Sequence, residues 1–562
     1  MVGTLNTLAI PSTLQDSLLA RLDRLSPVKE IVQVGAVLGR EFSLDLLQAV
    51  LPRKEAHLKL GLGQLVEAEL LYPKEEGSQP FVYQFKHALI QDAAYDSLLK
   101  SRRLQLHHRV ANVLSNEFKD IAQSQPELLA HHYTKASIFQ QAIPLWLKAG
   151  QQASQQHANA EATSHLESGL ALLPHLSDNN EKDNFELNFL LSLGGVRVVY
   201  YGYTHPIVGE TLNEANKIAQ RLSAATQQAF IIYNLMTHYM LSEKYQDLKE
   251  LIKFMLEKGE NEEKGYLFKL FSGHLDGVFK ILSGEFSNAN LMFDNLFAIY
   301  DASVNVPLEL TPGGDVKNNI EAWLSLSLQV SGFMSQANEI TARHLHSTKT
   351  VNDSRTLYHI YAWATWQKLE AKEWKEAEEI TSTYLPIAKE FGDPFFIMIA
   401  ETEYYLARAF QGYTSAFEIG IEYLKKGIEM GATTFYGYCE LFLSCRSADE
   451  AFTFVEALIR KVEKSGTRMH IAELYRVKGL ALQALGKSDQ LVEESFQTAL
   501  NWAKKQAAKT YELRAALALG ELWQKQGKTK ESYALVKEVY DWFPEELVAV
   551  DLEEARDFLN RY

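Results

Sequence analysis

The stretch FVYQFKHALIQDAAYDSLL, Phe81 to Leu99, decides how the rest of the chain is read. Phe81, Tyr83 and Phe85 alternate with Val82 and Gln84, the two-residue period of a short strand. From His87 onward the period changes without a gap. Leu89, Ala93 and Leu98, with Ala94 and Tyr95 beside them, recur at helical spacing. The sequence therefore predicts an edge strand that runs straight into a helix, with His87 at the joint. A helix start exposes unpaired N–H groups and the positive end of the dipole, which favours anions. An imidazole there can equally be structural, bonded to a nearby carbonyl or carboxylate.

Upstream of this joint the pattern is helical. Residues 1–10 read as a leader, and 11–122 as one module. Ser12 and Gln15 have capping-box spacing, and Leu14, Leu18, Leu22 and Leu25 form one apolar stripe. A second helix starts at Ser26-Pro27, buries Val28, Ile31, Val32, Gly35 and Leu38, and breaks at Gly39-Arg40. Ser43 caps a third helix ending by Pro52, and a fourth spans about Glu55 to Glu69. Leu70–Tyr72 and Phe81–Phe85 then pair as a hairpin around the polar turn KEEGSQP. Helices followed by a two-stranded ribbon are the plan of a winged helix.

Downstream, helix follows helix. Pro126, Pro144 and Pro174 are expected at turns or helix starts. The repeat is clearest at 470–545. Gly479 and Gly486 are seven residues apart, as are Gly520 and Gly527, and the pairs lie 41 residues apart. Leu519, Gly520, Trp523, Gly527, Ser532 and Pro544 fall near tetratricopeptide spacing, whereas the preceding unit, with Leu482, Phe496 and Ala499, needs a one-residue insertion to match. Polar breaks at 176–184, 257–264 and 302–318 mark internal boundaries. The expected fold class is thus all-α: the winged-helix module, then an α-solenoid over 123–300, a loop or joint at 301–318, and a second solenoid segment over 319–562. Such stacks present a long concave face. Tyr358, Tyr361, Trp363 and Trp366 are candidates to line it for a partner, although an aromatic cluster at helical spacing is more often core between repeats.

Composition narrows the function classes. The net charge is −15, and the acid excess lies in the helical array, while the first 120 residues are near neutral. An acidic array does not suit nucleic acid or an anionic membrane. The candidate recognition helix, HLKLGLGQLVEAELL, offers only Lys59 against Glu67 and Glu69, and the wing tip sets Lys74 beside Glu75 and Glu76. The basic run Lys100, Arg102, Arg103 and Arg109 is expected to cap a helix end or pair with the acidic array. Two cysteines, Cys439 and Cys445, have neither zinc nor redox spacing and read as buried thiols in a reducing compartment. With no spanning apolar run and no signal pattern, the expected location is cytoplasmic, with no membrane partner.

The motifs of chemistry are missing from the sequence. GAVLGREF at 35–42 is a failed phosphate loop: arginine replaces lysine, no hydroxyl follows, and it sits within a helical pattern. The histidine pairs His131-His132 and His344/His346 point in diverging directions on helices and make poor metal sites. The reading is of a non-enzyme with no cofactor and no metal.

Several segments carry a resemblance. IPSTLQDSLLARLDRLSPVKEIVQVGAVLGREFSLDLL (10–47), QLVEAELLY (64–72), FKHALIQDAAYDSLL (85–99), QPELLAHHY (125–133), AIPLWLKAG (142–150) and IAELYRVKGLALQALG (471–486) resemble the C-terminal region of bacterial adenylate/guanylate cyclases joined to STAND signalling ATPases. The likeness is strong at both ends and faint between about 190 and 430. It implies a winged helix followed by a tetratricopeptide-like sensor arm, with cyclase and P-loop modules belonging upstream of a segment like that at Ile10. On this likeness the chain keeps the regulatory half alone. It also implies that His87 is the histidine that touches nucleotide phosphates, here only with an ATPase supplied in trans. The expected function is a regulatory scaffold that binds a protein partner on the solenoid. One alternative is a component of a cyclase or ATPase assembly, active only with a catalytic chain in trans. A second is a DNA-binding regulator.

Overall fold

A computed structural model describes residues 28–74, 81–156, 158–261, 265–300, 311, 314–351, 354–392, 394–429, 433–445, 447–544 and 547–561. The expected leader, the first helix, the Ser26-Pro27 start, most of the 74–80 turn and most of the 302–318 stretch lie outside them. The chain packs into two compact units, Met1–Ser192 and Leu193–Tyr562.

The first unit opens with helix Lys29–Leu38, which buries Ile31, Val32 and Val34 to Leu38. Strand β1, Glu41–Ser43, follows. Ser43 then caps helix Leu44–Val50, its hydroxyl accepting from the Leu46 N–H at 3.1 Å. After helix Glu55–Glu67 come β2, Leu71–Lys74, and β3, Val82–Phe85. The sheet has the order β1-β3-β2, with both pairings antiparallel. The expected edge strand is therefore the central one. The short segment Glu41–Ser43, too brief to show a two-residue period, pairs Phe42 with Tyr83 and covers the free edge of β3. The joint itself is as read: Phe85 is buried, and helix Ala88–Asp96 starts three residues later with His87 at its N-cap.

Helices Lys100–Asn116, Pro126–Lys135, Phe139–Gln155 and Asn159–Leu170 complete the hairpins of this unit. Pro126 sits at a helix start, and Pro174 lies in the 3-10 turn Leu173–His175. Pro144 does not mark a start; it lies inside helix Phe139–Gln155. There the lost N–H costs one backbone hydrogen bond, and the strong amphipathic packing of Ala142, Ile143, Ala149 and Ala153 outweighs it. The basic run is used locally: Arg102 pairs with Glu30 at 3.3 Å, and Arg103 with Asp96 at 3.2 Å.

The second unit is a succession of helix hairpins from Pro206–Arg221 to Val550–Leu559. The two repeats legible in the sequence are helices Ile471–Ala484 with Asp489–Gln506, and Lys509–Lys525 with Thr529–Tyr540. A Cβ added at Gly479 would meet the Phe496 ring at 2.4 Å, and one at Gly520 would meet Val536 at 2.8 Å. These two glycines are the notches that let each hairpin close. Gly486 and Gly527 turn the chain with φ of 64° and 79°. The second helix starts three residues after Gly486 but two after Gly527. That turn holds the one-residue difference between the repeats.

The open concave face expected of a stack does not persist through this unit. Helix Val316–Ser331 is buried at Val316 and at every residue from Asn319 to Ser331. It packs against helix Lys509–Lys525, and Thr510 donates to the Gln329 carbonyl at 2.6 Å across 181 residues of sequence. The Met469 N–H reaches the Leu282 carbonyl at 2.9 Å in the same way. The late repeats fold back onto the middle ones, so the inner face is occupied by the chain itself. Sequence periodicity reports which face of a helix is apolar, not which helix covers it. Among the described residues, no helix is long and apolar enough to cross a membrane.

Candidate functional site

His87 is exposed at the N-cap of its helix, in extended backbone. Its carbonyl accepts from the Ile90 N–H at 3.0 Å, and its ring makes no capping bond. The two lysines that could have offered charge to a nucleic-acid backbone are already paired: Lys59 with Glu55 at 2.6 Å and Lys74 with Glu41 at 3.2 Å. His131 and His132, expected to diverge, instead lie 5.5 Å apart ring to ring and both meet His107 from helix Lys100–Asn116. The ring of His107 lies 5.9 Å from that of His131 and 5.1 Å from that of His132. His107 shares one nitrogen with His132 Nδ1 at 2.9 Å and the other with the Tyr95 hydroxyl at 3.0 Å. Burial, with the nearby charges of His131, Lys135 and Arg103, pulls His107 down to about 4. No group of three or more metal-ligating side chains among the described residues could hold a metal ion. His344 is buried and bonded to Glu321 at 2.8 Å.

The aromatic candidates sit on helix Ser354–Glu370. Tyr358 and Trp366 are buried, while Tyr361 and Trp363 are half-buried. Tyr358 stacks on Phe396 at 4.3 Å, and Tyr361 lies parallel to Tyr384 at 6.1 Å. Trp363 and Trp366 pack on Trp323 at 4.4 and 5.9 Å. These rings hold neighbouring hairpins together, and they also wall a cavity of about 170 Å³ in the second unit. Tyr358, Trp363 and Trp366 line it with Trp323, Phe395 and Phe396. Polar groups join them, among them His274 and Glu403. His274 is bonded to the Tyr233 hydroxyl at 2.7 Å, and burial pushes it down to about 3, so it is neutral. Glu403 accepts from the Tyr384 hydroxyl, and burial pushes its carboxyl well above the usual range.

A second polar cluster ties the late repeats to the middle ones. The buried Arg514 guanidinium forks onto Asp551 at 2.9 and 2.8 Å and reaches the Glu370 carboxylate at 3.0 Å and the Glu370 carbonyl at 2.6 Å. Lys372 adds a bond to Asp551 at 2.9 Å. Arg476 bridges Glu473 and Glu440 alongside. Against the penalty of burial, the Arg514 and Lys372 charges hold the Asp551 carboxyl well below the usual range. Burial wins at Glu370, which is pushed up to about 7 despite Arg514, with Glu473 and Asp551 adding to the rise.

In the last repeats, Trp523 is half-buried and donates to Glu493 of the preceding hairpin at 2.9 Å. Glu403, Glu370, Arg514 and Asp551 were not singled out from the sequence. A signal for Glu403 does exist: it falls on the apolar seam of Phe396, Ala400, Leu406 and Ala407, where a carboxylate is out of place. Arg514 and Asp551 carry none, because their partners are distant in sequence.

No family model matches the chain. An uncharacterized protein of Rhizobium meliloti is 22% identical over 527 residues, covering 91% of this chain. The chain spans about half the length of that curated relative, 50%. Among solved structures, a Rap protein complexed with competence and sporulation factor is 12% identical, with a TM-score of 0.36, over 75% of this chain and 99% of its own. A STAND protein with a tetratricopeptide repeat sensor from Pyrococcus horikoshii is 11% identical, with a TM-score of 0.29, over 95% and 65%. The Cut9–Hcn1 hetero-tetramer of APC/C is 12% identical, with a TM-score of 0.31, over 82% and 93%.

Proposed function

We propose that the chain is a non-catalytic regulatory scaffold. Its helical repeats take up a protein signal, and its N-terminal module, read as a winged helix, passes that state to a P-loop ATPase or cyclase on another chain. The observation that carries the reading is on that module. Leu60, Phe81 and Leu99 are 65%, 60% and 77% exposed, although the helices and sheet beneath them are well packed. Large apolar side chains left in water beside a buried core favour a partner that covers them. His87 stands exposed between Phe81 and Leu99 in the chain, where an imidazole could meet a phosphate carried by that partner. Relay requires two arrangements with different partner affinity, and Gln125, between helices Lys119–Ser124 and Pro126–Lys135, is where we place the hinge.

The test uses purified full-length chain and the ATPase or cyclase polypeptides of the same organism. Nucleotide turnover by the catalytic chain should change when the scaffold is added, and the change should be lost with Leu60→Asp plus Leu99→Asp. His87→Ala should weaken the nucleotide dependence of the association while leaving the association itself. Turnover of ATP or GTP by the scaffold alone, or indifference of every catalytic chain to it, would overturn the reading.

A further inference from the structure

We infer that the aromatic cavity of the second unit binds a small hydrophobic amine, its ammonium held by the Glu403 carboxylate and its carbon frame by Trp323, Trp363 and Phe396. Six carboxyl groups are buried among the described residues: Glu321, Glu370, Glu403, Glu473, Glu512 and Asp551. Five have a cation. Arg343 faces Glu321 at 3.0 Å, Arg514 faces Glu370 at 3.0 Å and Asp551 at 2.8 Å, Arg476 faces Glu473 at 2.9 Å, and Lys509 faces Glu512 at 2.8 Å. Glu403, 2% exposed, has none among the described residues; its partner there is the Tyr384 hydroxyl. A buried carboxyl with one neutral donor is costly, and an amide or an apolar side chain would pack there at lower cost. Burial disfavours the ionised form of that carboxyl, and a cation in the cavity it lines would hold it ionised and offset the cost.

The walls suit the same ligand. Indole rings pack well against an aromatic carbon frame, and Trp323, Trp363 and Trp366 cluster within 6 Å of one another, centroid to centroid. A volume of about 170 Å³ resembles the ~150 Å³ that admits a benzene ring, so a ring with a short aminoalkyl arm is the right size. That volume suits a free small molecule better than a length of peptide. The inference does not depend on the partner-binding reading, since it concerns a small molecule inside the second unit, and either can fail alone.

The experiment titrates full-length protein with 2-phenylethylamine and with propylbenzene, its uncharged isostere, following tryptophan fluorescence and calorimetry. The amine should bind saturably and more tightly than propylbenzene. Glu403→Gln should weaken the amine by about tenfold or more while leaving propylbenzene unchanged. Trp363→Leu should weaken both. Equal affinity of the wild-type protein for the two ligands, an amine affinity indifferent to Glu403→Gln, or no saturable amine binding up to about 10 mM would overturn the proposal. The wild-type comparison of the two ligands decides the matter even if Glu403→Gln fails to fold.

Discussion

The two units differ in how far charge enters a polar interior. In Met1–Ser192 the buried polar group is a set of neutral imidazoles, His107 and His132, joined nitrogen to nitrogen and anchored by Tyr95. In Leu193–Tyr562 neutral imidazoles such as His274 recur, and to them is added a set of charges, with Arg514 between Glu370 and Asp551 and Arg476 between Glu473 and Glu440. Neutral rings can be buried at little electrostatic cost but accept a proton in mild acid. Paired ions cost more to bury, yet each fixes the other's position and pins segments far apart in sequence. The histidine cluster joins neighbouring helices of the first unit. The ion cluster joins residues 144 positions apart, at Arg514 and Glu370.

The comparison is broken most severely by removing Arg514. Arg514→Ala should destabilise the second unit by about 3–5 kcal/mol, because Glu370 is left buried without its cation and Asp551 keeps only Lys372. Replacing all three residues by apolar side chains of similar volume should recover most of that loss. Denaturant unfolding with hydrogen exchange resolved by unit checks both outcomes.

Acid separates the units next. His107 has a folded value of about 4 against an ordinary 6.5. Its contribution is therefore fully present above pH 6.5 and is lost as the pH falls toward 4, by about 3 kcal/mol at completion. Glu370 is shifted the other way, to about 7 from 4.5. Its contribution is greatest below pH 4.5 and declines as the pH rises to 7. Between pH 6.5 and 4.5 the first unit should lose exchange protection, while in the second the loss at His274, pushed down to about 3, is offset by the gain at Glu370, after correction for intrinsic exchange rates. His107→Gln, neutral at every pH, should remove part of the first unit's dependence, the rest staying with His132, which burial also holds well below the usual range.

The smallest effects test whether the late repeats depend on tight packing as much as on charge. Gly479→Ala should cost about 1–2 kcal/mol, since overpacking against Phe496 exceeds the gain in helix propensity, and Phe496→Leu should restore part of it. Gly486→Ala meets no atom within 4 Å and should cost about 1 kcal/mol through its φ of 64° alone. Thermal unfolding of the two variants side by side gives the order.

Residue patterns by themselves determined the local structure. The change of period at His87, the hydroxyl cap at Ser43, and the glycine spacing that sets the last two hairpins are each properties of a few consecutive residues, and backbone sterics and local hydrogen bonds act at that range. The identity of what covers each apolar face was decided only in the tertiary structure. Whether β3 is an edge, whether the inner face of the array is open, and which cation meets which buried carboxylate all depend on chain segments brought together from distant points of the sequence, 181 residues apart at Thr510 and Gln329. No short-range pattern encodes those meetings, because hydrophobic burial is non-directional and the pairing of a buried charge is fixed by whichever partner the fold delivers.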